Sequence, residues 1–270
     1  MLNKHLYPTW GDTPLDQIDT KAIQAFWDAR KEKSRKYLRD LKNFLAQILE
    51  SARLDGIIAV NPCKDSRLEN PSDKVTKREA VPESEVKDII ANLHLLDDDP
   101  KAQRYMALVI FTGARKGEVL GLRYEDIDAD LLHIRRNVTF TSNQPIVGTP
   151  KTKAGYRDVP IMQGLMEFIG SGDPSSYIVT GTDKPMTASA HTRMMQRVKA
   201  KIDLNGATSH CFRHSMGTLL HDTGADIKTI QAILGQTDYK TTADRYVHSV
   251  MASEMQAAAK VNDRLCAANT

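Results

Sequence analysis

The sequence predicts an α+β fold that is mainly α: a small all-helical domain at 1–75, then a mixed domain at 76–270 whose helices carry a small antiparallel sheet. Three observations predict it. Apolar residues recur at helical spacing through residues 18–52. A polar run with Asn61-Pro62 and Asn70-Pro71 follows. Beyond it, helical patterns alternate with short β-prone runs.

The first helix has Ile18, Ile23, Ala25, Phe26 and Trp27 as its apolar members, behind an Asp19-Thr20 start. In the second, Leu38, Leu41, Phe44, Leu45, Ile48, Leu49 and Ala52 recur every three or four residues from Ser34, and Gly56 supplies a stop. The stretch KDSRLENPSDKVTKRE is poor in apolar residues and reads as a linker, with the boundary near residue 75. Further helices are expected at about 83–96, 101–112, 115–122, 187–203, 209–222, 226–234 and 251–265. LLHIRRNVTF is β-prone, IVGTPKTKAGYRDVPI reads as a hairpin of two strands joined by a Lys/Gly-containing turn, and Tyr177-Ile178-Val179 is a third strand candidate.

The 270 residues are 41% hydrophobic and 26% charged, a globular balance that excludes disorder and fibrous repeats. No run approaches the roughly 18 apolar residues of a membrane span, and MLNKHLYPTWGD lacks a signal core, so a cytoplasmic protein is expected. Cys63, Cys211 and Cys266 form no CxxC pair, which suggests neither a disulfide framework nor a cysteine-built zinc site. The net charge of +3 is weak, but its distribution is informative: seven bases fall between Arg30 and Lys42, opposed only by Glu32 and Asp40. Arg35, Lys36, Arg39 and Lys42 share the outer face of the second helix, which suits either a phosphate backbone or a solvated surface.

Three segments could carry chemistry. In TGARKGEVLGLRYEDID, Arg115 opens a helix, where backbone N–H groups and a planar guanidinium converge on an anion; the alternative is a surface pair with Glu118. In SHCFRHSMGTLLHDTGADIKTIQAILG, His210, Arg213 and His214 share one helix face. Two histidines at that spacing can bind zinc, but the metalloprotease pattern needs Glu where this chain has Cys211, and an arginine among the ligands repels a cation, so anion binding is favoured. In LGQTDYKTTADRYVHS stand Tyr239 and Tyr246, the latter followed by His248; a phenol with a pKa of about 10 needs nearby cations to act as a nucleophile.

Together and in this order, these segments resemble the tyrosine recombinase (phage-type integrase) family. The first matches T-G-x-R-x-x-E-x-L, the second H-x-x-R-H and the third L-G-x-x-x-x-x-T-x-x-x-Y-x-H, and the likeness covers roughly residues 79–260. The upstream helical unit looks like the family's core-site DNA-binding domain. The resemblance implies that Arg115 and Arg213 clamp the scissile phosphate and that Tyr246 forms a 3′-phosphotyrosyl link, with His210 assisting by proton transfer or phosphate contact. It also implies a hairpin lysine as general acid toward the leaving 5′-oxygen: Lys151 is the first choice, and Lys153, on the same strand face, stays open. Glu118 would orient Arg115, and His214 would have a supporting structural role. No metal and no cofactor are implied.

Two departures stand out. Where the family usually has L-G-H, this chain has Leu234-Gly235-Gln236; Gln236 can donate a hydrogen bond to phosphate but carries neither proton nor charge, so a weaker but active enzyme is expected. Little precedes LYPTWGDTPLDQI, where the family often has an arm-binding domain, so either a short natural chain or a truncated start is expected. The partners implied are double-stranded DNA with specific recombination sites, a homotetramer on paired sites that is monomeric or weakly oligomeric without DNA, and accessory DNA-bending or directionality proteins. The helix MASEMQAAAKVNDRL is a candidate to dock on a neighbouring subunit. Integration or excision of a prophage or mobile element, at the nucleoid, is the expected role. The alternatives are a type IB topoisomerase and a DNA-binding protein with decayed catalysis.

Overall fold

The structure, a computed structural model, describes residues 2–69, 80–150 and 152–236, with the side chain of Arg35 outside that description. Contacts divide the chain into two compact units, residues 1–77 and 78–270.

In the first unit, helices α1 (Tyr7–Trp10), α2 (Thr20–Asp28) and α3 (Arg35–Leu54) enclose a small core. The Asp19 carboxylate caps α2 by accepting from Ala22 N at 2.7 Å, and Ser34 Oγ caps α3 by accepting from Tyr37 N at 3.3 Å. The predicted periodicity holds: Leu38, Leu41, Leu45, Leu49 and Ala52 of α3 are buried against Ile23, Phe26 and Trp27. The expected linker, which begins at Lys64, overlaps this core at Leu68. Cys63 and Leu68 are buried in this core, and the Asn61 amide donates to Ala46 O at 3.0 Å and to Glu50 Oε2 at 2.9 Å. Two buried apolar side chains and a satisfied amide outweigh the polar composition around them.

In the second unit, α4 (Glu83–Ala91), α5 (Pro100–Thr112), α6 (Lys116–Gly121), α7 (Gln163–Ile169), α8 (Ala188–Lys201), α9 (Ser209–Asp222) and α10 (Ile227–Leu234) surround the main core. Helix α5 is central: Ala102 and every residue from Tyr105 to Ile110 are buried. The expected helix over 83–96 stops at Asn92, whose ψ of 0° ends α4 before a short 3-10 turn from Leu93 to Leu96.

Strands β1 (Ile127–Asp128), β2 (Leu131–Ile134), β3 (Asn137–Thr141), β4 (Gln144–Gly148) and β5 (Arg157–Pro160) pair antiparallel, in two separate sheets ordered β1-β2-β5 and β3-β4. The expected hairpin over 146–161 is therefore corrected. Its two strands part, β4 pairing with β3 and β5 with β2. The local turn decides: Ser142 and Asn143, at φ 47° and 73°, reverse the chain directly between β3 and β4. Tyr177, expected in a strand, makes only isolated bridges to Arg123 and Thr182, while Ile178 and Val179 fill the core. Tyr246, Lys151, His248 and the helix expected at 251–265 lie outside the described residues. No helix among the described residues is long and apolar enough to cross a membrane.

Candidate active site

Arg115 lies between α5 and α6, at the position that caps α6. The Glu118 carboxylate accepts from Arg115 N at 2.9 Å and from Arg115 Nη1 at 2.8 Å. That pairing is part-buried: the Glu118 side chain is 3% exposed, against 47% for Arg115. The Arg115 N–H, expected to face an anionic ligand, is taken by the chain's own carboxylate. The other arm of the guanidinium, Nη2, donates to Gly235 O at 3.0 Å.

Arg213 comes from the middle of α9, where Cys211 to Gly217 are all buried. It is the largest of the fully buried side chains, and it donates through Nη1 to Gly113 O at 3.0 Å and through Nη2 to Leu234 O. The end of α10 thus accepts from both motif arginines on adjacent carbonyls. Carbonyls at a helix C-terminus lack intrahelical donors, and there the helix carries partial negative charge. Gly235 ends α10 in the left-handed conformation, and Gln236 follows, half-buried, its N–H donating to Gln231 O at 3.0 Å.

A third arginine, which the motifs did not single out, completes the cluster. Arg157, buried at the start of β5, donates through Nη2 to Glu118 Oε2 at 2.9 Å, through Nε to Ile233 O at 2.7 Å and through Nη1 to Gly155 O at 3.3 Å. Burial alone would push the Glu118 carboxyl up. The hydrogen bond and charge of Arg157, with the bonds from Arg115, outweigh it and hold the group below its ordinary value. A signal for Arg157 stood in the sequence: it shares a strand face with Val159, and an arginine at a core-facing strand position must have partners.

On the Arg213 helix the His210 and His214 rings meet tilted, centroids 4.5 Å apart; His210 is exposed and His214 buried. Among the described residues, no group of three His, Cys, Asp or Glu side chains converges as a metal site requires. Lys153 is exposed, but it opens a 3-10 turn, Lys153–Gly155, rather than lying on the first strand of a hairpin. The close fit of Gly155 on Pro150 folds the chain there: an added Cβ would stand 2.4 Å from Pro150 Cβ.

In the first unit, the polar face of α3 presents Lys36 and Arg39 exposed and Lys42 partly so, opposite the buried leucines. Two bases of the same charged stretch are spent locally: Arg30 sits 3.6 Å over the Phe26 ring, and Lys31 pairs with Asp28 at 3.0 Å.

The chain is similar to known proteins over most of its length. The phage integrase family matches over residues 79–253. The ICEBs1 integrase of Bacillus subtilis (strain 168) is 28% identical, over 98% of this chain and 76% of that protein. Among solved structures, the Tn1549 transposon integrase in complex with circular intermediate DNA aligns with a TM-score of 0.69 at 19% identity, over 87% of this chain and 83% of that one. A lambda integrase tetramer bound to a Holliday junction aligns with a TM-score of 0.58 at 19% identity, over 83% of this chain and 66% of that one. The chain belongs to the phage integrase family, the tyrosine-type site-specific recombinases.

Proposed function

We propose that this chain cleaves and rejoins DNA at specific sites through a 3′-phosphotyrosyl intermediate, in the integration or excision of a prophage or mobile element. The observation that carries this reading is the seating of Arg115 and Arg213 on the adjacent carbonyls of Gly235 and Leu234. Two guanidinium groups fixed in this way can hold the non-bridging oxygens of one phosphate. In-line attack adds charge to those oxygens, so preset donors stabilise the transition state more than the ground state.

In this reading, the Tyr246 phenol oxygen attacks phosphorus and the bond to the 5′-oxygen breaks, with Lys151, or Lys153 in its place, protonating that oxygen. His210 serves proton transfer or contacts the phosphate, and Gln236 donates a neutral hydrogen bond. Energy is kept in the new phosphodiester, so a 5′-hydroxyl of a second strand attacks it, reseals the DNA and frees the phenol without ATP. The basic face of α3, with Arg35, Lys36, Arg39 and Lys42, lies along the duplex backbone. Four protomers act on two paired sites at the nucleoid, with accessory DNA-bending or directionality proteins setting the outcome.

The test incubates the protein and Tyr246→Phe with nicked, fragmented DNA from the host and its element, then denatures the mixture and sequences protein-linked ends. Ends that recur at one site and need Tyr246 are expected. No tyrosine-dependent adduct would overturn the reading. Joining of two separate duplexes distinguishes a recombinase from a topoisomerase.

A further inference from the structure

Arg157 closes a ring of interactions behind the two motif arginines. Its Nη2 bonds Glu118, Glu118 bonds Arg115, Arg115 bonds Gly235 O, and two residues back along the same helix end Ile233 O accepts from Arg157 Nε. Every link in this ring is a charge-assisted hydrogen bond or the backbone of α10. The planar guanidinium of Arg157 spans acceptors that lie in different directions, on α6 and on α10.

We propose that Arg157 is a positioning residue for strand cleavage: it fixes Glu118 and the end of α10 together, and so sets where the Arg115 guanidinium points. This rests on the recombinase reading above. All three guanidinium nitrogens of Arg157 are engaged, by Ile233 O, Gly155 O and Glu118, so it acts through Arg115 and the α10 end rather than by touching DNA. Without it, Glu118 retains Arg115 as its partner but can move with it, and Ile233 O loses its cation. Arg115 would then keep its charge and lose its aim. A displacement of about 1 Å at such a group costs on the order of 100-fold in rate.

The test uses the full chain on a nicked duplex carrying the captured site. It compares the parent with Arg157→Gln and Arg157→Lys, reading the single-turnover cleavage rate at saturating DNA and, separately, the DNA concentration for half-saturation. Arg157→Gln should cleave about 100-fold more slowly at saturation, with half-saturation within about threefold of the parent. Arg157→Lys, which keeps the buried charge and one of the two links, should fall between the two and keeps the test readable if the glutamine variant does not fold. In a Glu118→Gln background, Arg157→Gln should cost no more than about threefold further, because both act through the same arginine. Unchanged cleavage, loss of binding in step with cleavage, or fully additive losses in the double variant would each overturn the role of Arg157. A parent that forms no adduct would instead overturn the recombinase reading and this role with it.

Discussion

Ser215 and Val81, 134 positions apart, are joined in both directions: Val81 N donates to Ser215 Oγ at 2.7 Å, and Ser215 Oγ donates to Val81 O at 2.9 Å, with Cys211 O a second acceptor at 3.1 Å. The hydroxyl sits two residues beyond Arg213 on α9 and pins the start of the second unit's described chain to the helix that carries the site.

Ser215→Ala should therefore destabilise the second unit. It leaves a buried backbone N–H without its acceptor, which costs about 1–3 kcal/mol. Urea denaturation followed by circular dichroism measures it, and a loss below about 0.5 kcal/mol would show that water replaces the hydroxyl.

Gly235→Ala should cost more than Gly56→Ala. Both glycines have positive φ, 62° and 75°, so both substitutions carry backbone strain of about 1–2 kcal/mol. Only at Gly235 would the new Cβ also collide, 2.7 Å from Arg157 Nη1 and 2.8 Å from Ala154 O, whereas nothing lies within 4 Å at Gly56. Gly235→Ala should slow cleavage as well as lower stability; Gly56→Ala should leave cleavage unchanged. Equal effects at the two positions would contradict the fit around Arg157.

Acid should destabilise the fold through His191. Burial, with a smaller contribution from the Lys116 charge, pushes its pKa down from 6.5 to about 4. The unfolded chain then binds the extra proton between those values, so stability rises with pH across the window and is lost as pH falls from 6.5 toward 4, by up to about 3 kcal/mol. Glu118 adds to the loss at lower pH: its folded pKa is depressed, so its contribution is present above the ordinary carboxyl value and disappears as pH falls through the folded one. His191 Nε2 is buried without a hydrogen-bond partner among the described residues, so His191→Leu should remove the His191 share of the acid sensitivity between pH 6.5 and 4, leaving that of Glu118, at little cost near neutrality. Parallel pH profiles of Tm for parent and variant would sink this assignment.

Arg115→Lys and Arg213→Lys should both lose about 10²- to 10³-fold in cleavage rate, the usual cost of removing one preset donor to transition-state charge. They should differ in stability. Arg213 is 1% exposed and bridges Gly113 O and Leu234 O, so its replacement should lower Tm clearly, while Arg115, half exposed, should be replaced with a smaller change. Calorimetry alongside suicide-substrate cleavage separates the two effects.

The helices were legible because their apolar periodicity coincides with burial: α3, α8, α9 and α10 fall where the spacing places them. Helix α7 is not among the expected helices, and only two of its residues, Leu165 and Ile169, are buried. Strand pairing was less legible, since the β-prone runs are local but the choice of partner is not. The sequence-local guess joined residues 146–148 to 157–160, whereas a tight turn at Ser142-Asn143 claims the first run for β3. The motif residues Arg115, Glu118 and Arg213 were readable as types at fixed spacing. The strand position of Arg157 signals a buried arginine, but its role is not legible, because that depends on carbonyls of α10, 76 positions away for Ile233.

The end of α10 also eases a problem of like charges. Arg115, Arg157 and Arg213 converge on three consecutive carbonyls, and cations gathered so closely repel one another. The negative pole of the helix and the ionised Glu118 offset that repulsion within the protein. The helix end supplies about half a negative charge and Glu118 one more, so the fold meets part of the three positive charges, and in the recombinase reading a DNA phosphate would meet the rest.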